Sequence, residues 1–74
     1  MTAEERMTAE EWIAAYAEAL GRPEPSPAEM DAVLALASTA AHASERRAAP
    51  LACWLAASAG IPLGDAQTLA ERIG

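Results

Sequence analysis

Every long stretch between the prolines and glycines of this chain is written largely in alanine: EWIAAYAEAL, DAVLALASTAAHA and LACWLAASA. Alanine has no side-chain entropy to lose in a helix and ranks first in helix propensity. Twenty-one of the 74 residues are alanine and none is phenylalanine. Such segments point to helices that approach each other closely over alanine faces around a thin core. They give no strand signal. A thin core in turn suggests apolar surface left over for a partner. A chain this short makes one small domain, and burial of only about 60% of its unfolded surface leaves such a domain marginal on its own. The single Cys53 excludes an internal disulfide, and no Cys/His cluster is present to hold a structural metal. Stability must come from helix packing, from a partner, or from both.

The prolines and glycines divide the chain into four helical segments. Thr8 can cap the first, and Glu11 three residues on completes a capping box. Trp12, Ile13, Tyr16 and Leu20 recur at helical spacing, and Gly21 is a suitable stop. The turn RPEPSP follows. Ser26-Pro27-Ala28-Glu29 is the strongest local signal: a capping Ser, Pro at the first helical position and Glu at the third. The second helix is expected from Pro27 to about His42, with Met30, Val33, Leu34, Ala37 and Ala41 facing inward and Leu36 on the flank. Pro50 belongs in the first turn of a third helix, expected from Pro50 to Ala59 with its stop at Gly60. Leu51, Trp54, Leu55 and Ser58 form its expected inner stripe. Asp65 can cap a last helix of two turns, with Leu69, Ala70 and Ile73 inward. The fold class is all-α, a small bundle of about four short helices. Residues 1–7 are expected to fray, and residues 8–74 form a single helical domain. MTAEER and MTAEEW near the start are a near-duplicate whose likeness stops at Trp12.

Charge narrows the partners. The net charge is −6 and all five cations are arginine. Phosphate recognition needs Lys and Arg gathered on one face, so nucleic acid is a poor match, and so is an anionic membrane. No apolar run approaches the roughly 20 residues of a membrane helix. The acidic N-terminus lacks the basic region of a signal peptide. A cytoplasmic location is the expectation, and a free cysteine agrees with it.

AAHASERRAAPLACWL, residues 40–55, gathers the only His, two Arg, the only Cys and one of two Trp. His42 falls at a helix C-terminus, where a protonated imidazole complements the dipole; it could equally be a base, a ligand or a pH-sensitive contact. Arg46 and Arg47 can bond the exposed carbonyls of that helix end, face solvent, or form a small carboxylate- or anion-binding spot. Cys53, near the start of a helix, reads as a small half-buried residue or a thiol of lowered pKa. Trp12 and Trp54 read as core residues or as exposed aromatic anchors. The Glu residues near the first helix start need only the dipole to explain them. There is no phosphate loop, no G-x-S-x-G and no H-E-x-x-H. An enzyme is not expected, and neither a cofactor nor a metal is called for.

The ordered set EWIAAYAEALG, VLALASTAAH and RRAAPLACWLAASAG resembles a small actinobacterial helical family of uncharacterised function. Its members show a Trp followed by a helix and Leu-Gly, then a helix ending Ala-His, an Arg, and an AAPL helix. Trp12, Leu20, Gly21, His42, Arg46, Pro50 and Leu51 carry the likeness, with Trp54 where the family usually has Phe. The family domain occurs alone or fused behind a molybdenum cofactor guanylyltransferase. The resemblance implies a non-catalytic interaction or accessory module, associated with molybdenum-cofactor biosynthesis or with a molybdoenzyme. His42 and Arg46, the polar residues of the family pattern, join Arg47 and Trp54, singled out by residue chemistry, as the candidate partner-binding residues. The alternative is a small stand-alone homo-oligomer that covers its thin Ala/Leu faces with itself.

Overall fold

The computed structural model describes residues 7–73. Among them are four α-helices and no strand: α1 (Ala9–Leu20), α2 (Pro27–Ala43), α3 (Ala48–Ala59) and α4 (Leu63–Glu71). The all-α expectation holds. The expected fraying of the N-terminus falls, apart from Met7, outside the described residues.

The first two helices start where local chemistry says they should. Thr8 Oγ1 accepts from the Glu11 amide at 3.1 Å, and the Thr8 amide donates to Glu11 Oε1 at 2.8 Å. Ser26 and Glu29 repeat the same reciprocal pair at 3.1 and 2.8 Å. Each box satisfies two amides that would otherwise lack partners. The Thr8 amide, and after it the Thr8 hydroxyl, hold the Glu11 carboxyl below its ordinary value. At the other end of α1, Gly21 takes φ 70°, and the Arg22 amide reaches back to the Ala17 carbonyl at 2.9 Å. That left-handed close favours a residue without Cβ.

The last two helices start earlier than their sequence signals. α3 begins at Ala48, so Pro50 is its third residue rather than its first. Its missing N–H costs nothing there, because the first four amides of a helix have no intrahelical acceptor. α4 begins at Leu63 behind Pro62, and Asp65 lies inside its first turn instead of capping it. The Asp65 amide bonds to the Pro62 carbonyl at 3.0 Å, so a local turn supplies what a capping side chain would have done.

α2 is the centre of the arrangement, and both α3 and α4 pack against it. Apart from Pro27, Ala28, Glu29 and Ala43 at its exposed ends, its solvent strip is narrow: Asp31, Leu34, Ala35, Ser38 and His42, all within about 100° of its circumference at 100° per residue. Leu36 is 2% exposed, the most buried large side chain of the fold, with Ala17 of α1 and Ala66 of α4 the other buried residues. This reverses the sequence expectation for two leucines: Leu36 is central and Leu34 points out. A helix with neighbours on several sides has no single inner stripe. α1 meets α2 at an apolar hollow of about 230 Å³, which Ala9 and Ile13 share with Pro25, Met30, Val33 and Leu34. Gln67 of α4 donates to Thr39 Oγ1 of α2 at 2.8 Å and to Glu71 Oε2 at 3.2 Å, which ties α4 to the hub.

Two measurements check the capping boxes. Ser26→Ala should cost about 0.5–2 kcal/mol in a denaturant titration, the usual loss for a capping hydroxyl; an unchanged midpoint would mean that the box does not hold α2. The Glu11 carboxyl is lowered in the folded chain relative to the unfolded one. Its contribution is therefore complete above the ordinary carboxylate range and is lost as pH falls through the lowered value. Glu11→Gln keeps the box geometry without the titration. It should flatten the acid limb of helicity in far-UV circular dichroism, and an acid limb identical to wild type would refute the assignment.

Candidate functional site

α3 meets α2 through its small side chains. Ala48, Ala49, Ala52, Cys53 and Ala56 are its half-buried residues, the last four spaced three and four apart on one face, and none of its positions is fully buried. The Cys53 thiol points the same way and donates to the Val33 carbonyl of α2 at a sulfur–oxygen distance of 3.8 Å. The large side chains lie on the opposite face: Leu51 is 61% exposed, Trp54 67% and Leu55 60%. The stripe expected to be inner is thus the outer one. Both faces of α3 are apolar, and alanines let two helix backbones come closer than leucines would. That close approach leaves the bulky face outside.

Beside this face runs an open apolar groove of about 310 Å³. Its floor is Thr39, Ala40 and Ala43 of α2, one wall is Leu51, Ala52 and Leu55 of α3, and the other is Ala70 and Ile73. Leu69 and Ile73 were expected inward and are exposed; Ala66 takes the buried position of α4 instead. This groove was not visible in the residue pattern. The signal that could have found it is the second stripe of α3, Ala49, Ala52, Cys53 and Ala56, which has the same period as the leucines but half a turn away.

The polar candidates surround that face rather than converge on one point. His42 lies on the solvent strip of α2, with Nδ1 at 3.2 Å from Ser38 Oγ one turn back. The connection Ser44–Arg47 is held by its backbone, the Ala48 amide bonding to the Glu45 carbonyl at 2.9 Å and the Ala49 amide to that of Arg46 at 3.1 Å. Arg47 Nε donates to Glu45 Oε1 at 2.6 Å, an exposed pair and the only ion pair among the described residues. Such a pair adds about 0–1 kcal/mol. Glu45, Arg46 and Arg47 line a shallow polar hollow of their own, and His42 and Trp54 are not part of it. Among the described residues, the Arg46 guanidinium has no hydrogen bond or ion pair, so it does not close the end of α2. Instead the Ser44 amide bonds to the Ala40 carbonyl at 3.1 Å.

On α1, Trp12 and Tyr16 stack on each other with ring centroids 5.1 Å apart and planes tilted 32°. Both are about half exposed, with Leu20 continuing the line. Ile13, Ala14 and Ala17 face the bundle instead. No group of three or more His, Cys, Asp or Glu side chains among the described residues is placed to hold a metal ion. Among the described residues, no helix is long and apolar enough to cross a membrane.

The orientation of α3 is open to a direct check. Ala56→Leu should overpack the α2–α3 contact and cost about 1–3 kcal/mol in chemical denaturation. With the leucine stripe inward, position 56 would face solvent, and a neutral effect there would overturn the orientation.

No curated protein and no solved structure matches the chain. Residues 4–73 match a family described as Domain of unknown function (DUF6457), and since that span is nearly the whole chain, the protein belongs to this family.

Proposed function

We propose that the chain is a non-catalytic protein-interaction module. The observation that carries this reading is the outer face of α3, where Leu51, Trp54 and Leu55 stand exposed although a rotation of half a turn would bury them. Full burial of each such side chain is worth about 1.5–3 kcal/mol. A 74-residue domain that forgoes this internally gains by covering the face with protein. Residues that could carry chemistry are too few and too dispersed to assemble a reaction: His42 lies on the outer strip of α2, and Cys53 points into the α2–α3 contact.

His42, Arg46, Arg47 and Trp54 are the partner-binding residues in this reading. Trp and Arg are the types enriched where a few side chains dominate binding. The resemblance of residues 10–60 to a domain found fused behind a molybdenum cofactor guanylyltransferase supports such an enzyme, or a molybdoenzyme, as the protein served. Fusion argues for proximity rather than for a mechanism, so the role is that of an accessory or tethering domain.

Calorimetric titration of the purified chain into a molybdenum cofactor guanylyltransferase, and into a molybdoenzyme, tests this. Binding is expected. Alanine at His42, Arg46, Arg47 or Trp54 should weaken it, by more than about 1 kcal/mol for at least one of the four, with far-UV circular dichroism unchanged. Absence of binding to both enzymes would refute the proposed association. Early-melting variants whose folded fraction binds normally would instead make the four residues a structural clamp.

A further inference from the structure

α1 presents a second apolar face, and its charges are sorted around that face. At 100° per residue, Ala15, Ala19, Trp12, Tyr16 and Leu20 fall in that order within about 140° of the helix circumference. All five are exposed. Ile13, Ala14 and Ala17, which face the bundle, take the opposite side. Glu11 and Glu18, seven residues apart, share one edge of the exposed strip, next to Ala15. The other edge, beyond Leu20, runs into Ile13. The face therefore has carboxylates along one side and the bundle along the other.

Nothing among the described residues neutralises that acidic edge. From Met7 to Gly21 the chain has no Lys or Arg. Neither Glu11 nor Glu18 belongs to an ion pair, and Arg22, just past the helix stop, pairs with neither. The Thr8 amide takes only Oε1 of Glu11. Glu18 stands in the last turn of α1, which holds no basic residue. A helix C-terminus favours a cation, so the backbone and the carboxylate ask for the same charge there. The rings add to this preference. Trp12 and Tyr16, 5.1 Å apart, are exposed aromatic surface. Such surface attracts an ammonium or a guanidinium, and a guanidinium also stacks flat on it.

These observations select among occupants. A second copy of α1 would bring Glu10, Glu11 and Glu18 again and no cation. An anionic lipid surface is repelled by the same carboxylates. We propose that α1 docks a basic amphipathic helix of another protein. The apolar stripe of that helix lies on Trp12, Tyr16 and Leu20, and its Arg or Lys side chains run along the Glu11–Glu18 edge. Helix-on-helix docking of this kind is read by apolar residues three and four apart. Charges beside such a seam set the choice of partner. The site shares no residue with the α3 face, so its test and that of the proposed function fail separately.

Fluorescence titration with synthetic peptides reads this directly. The probe is a helix-forming peptide of roughly 14 residues, about four turns, with leucines three and four apart, arginines along one edge and no tryptophan. A second peptide has glutamate in place of each arginine. In a Trp54→Phe chain Trp12 is the sole tryptophan, so a shift in its emission places the peptide on α1. The arginine peptide should shift that emission and bind about tenfold tighter than the glutamate peptide, with an affinity that falls as salt rises. Trp12→Ala, followed by calorimetry, should weaken binding by more than about tenfold. Glu18→Arg places a cation where the helix dipole favours it, so this variant keeps its fold. It should weaken the arginine peptide about five- to tenfold and strengthen the glutamate peptide. Equal binding of the two peptides, binding that leaves Trp12 emission unchanged, or a Glu18→Arg chain that binds as wild type overturns the proposal. A dimer in sedimentation velocity that Trp12→Ala dissolves would make a second copy the occupant, and overturns it too. So does binding to phosphatidylglycerol vesicles that Trp12→Ala removes.

Discussion

Close approach of helices over alanine is the interaction on which this fold depends. Between its exposed ends, α2 has neighbours on all but a narrow strip of its circumference, and Leu36 at its centre is the one large side chain sealed from water among the described residues. Around it the buried or half-buried positions are mostly small: Ala17, Ala37, Ala40, Ala41, Ala52, Ala56 and Ala66. Alanine offers little apolar area, so each contact contributes little by burial. It compensates by bringing backbones near enough for dispersion contacts and by adding no side-chain entropy cost. A core of this kind positions helices firmly only while it stays small, which is why a larger side chain in the α2–α3 contact is harmful.

The same economy determines where the large apolar residues go. A thin core cannot hold Leu51, Trp54, Leu55, Trp12, Tyr16 and Ile73 at once, so the fold places them on its outside in two groups, one on α3 with the adjoining groove and one on α1. Contiguous apolar surface on a small domain marks an interaction site. The groups differ in their charge setting. The α1 aromatics share their helix with Glu10, Glu11 and Glu18, whereas the α3 face is uncharged from end to end.

What could be read from the sequence divides along the range of the interactions involved. The starts of α1 and α2 were legible because a capping box is closed by residues three apart, Thr8 with Glu11 and Ser26 with Glu29. The stops at Gly21 and Gly60 were legible because a left-handed close selects glycine locally. The facing of α3 was not. Its leucine stripe and its Ala/Cys stripe have the same period, and choosing between them needs the shape of α2, which no local pattern contains. Leu34 and Leu36 were exchanged for a related reason: one amphipathic stripe was assumed for a helix with several neighbours. Asp65 was misread as a cap because it stands just past Gly64, whereas the turn made by Pro62 begins α4 three residues sooner. Of the candidate residues, exposure at His42, Arg46 and Arg47 followed from their place at a helix end, but the groove beside Trp54 depends on residues more than 30 positions apart.

The helix starts also divide the chain into two halves with different dependence on their surroundings. α1 and α2 each satisfy their first amides with their own side chains, and each has an acid in its first turn where the dipole favours it. α3 and α4 have no capping side chain, and α3 begins behind two arginines. Short helices are marginal without tertiary support, and a helix of 9 or 12 residues lacking a cap is the more so. α3 and α4 must therefore draw their order from α2, through the Cys53–Val33 contact on one side and the Gln67–Thr39 bond on the other. The surface that the fold leaves most apolar thus belongs to the pair of helices least able to stand alone. Covering that surface would add support where local chemistry supplies least, so a protein docked there would couple its binding to the folding of this half through the same side chains.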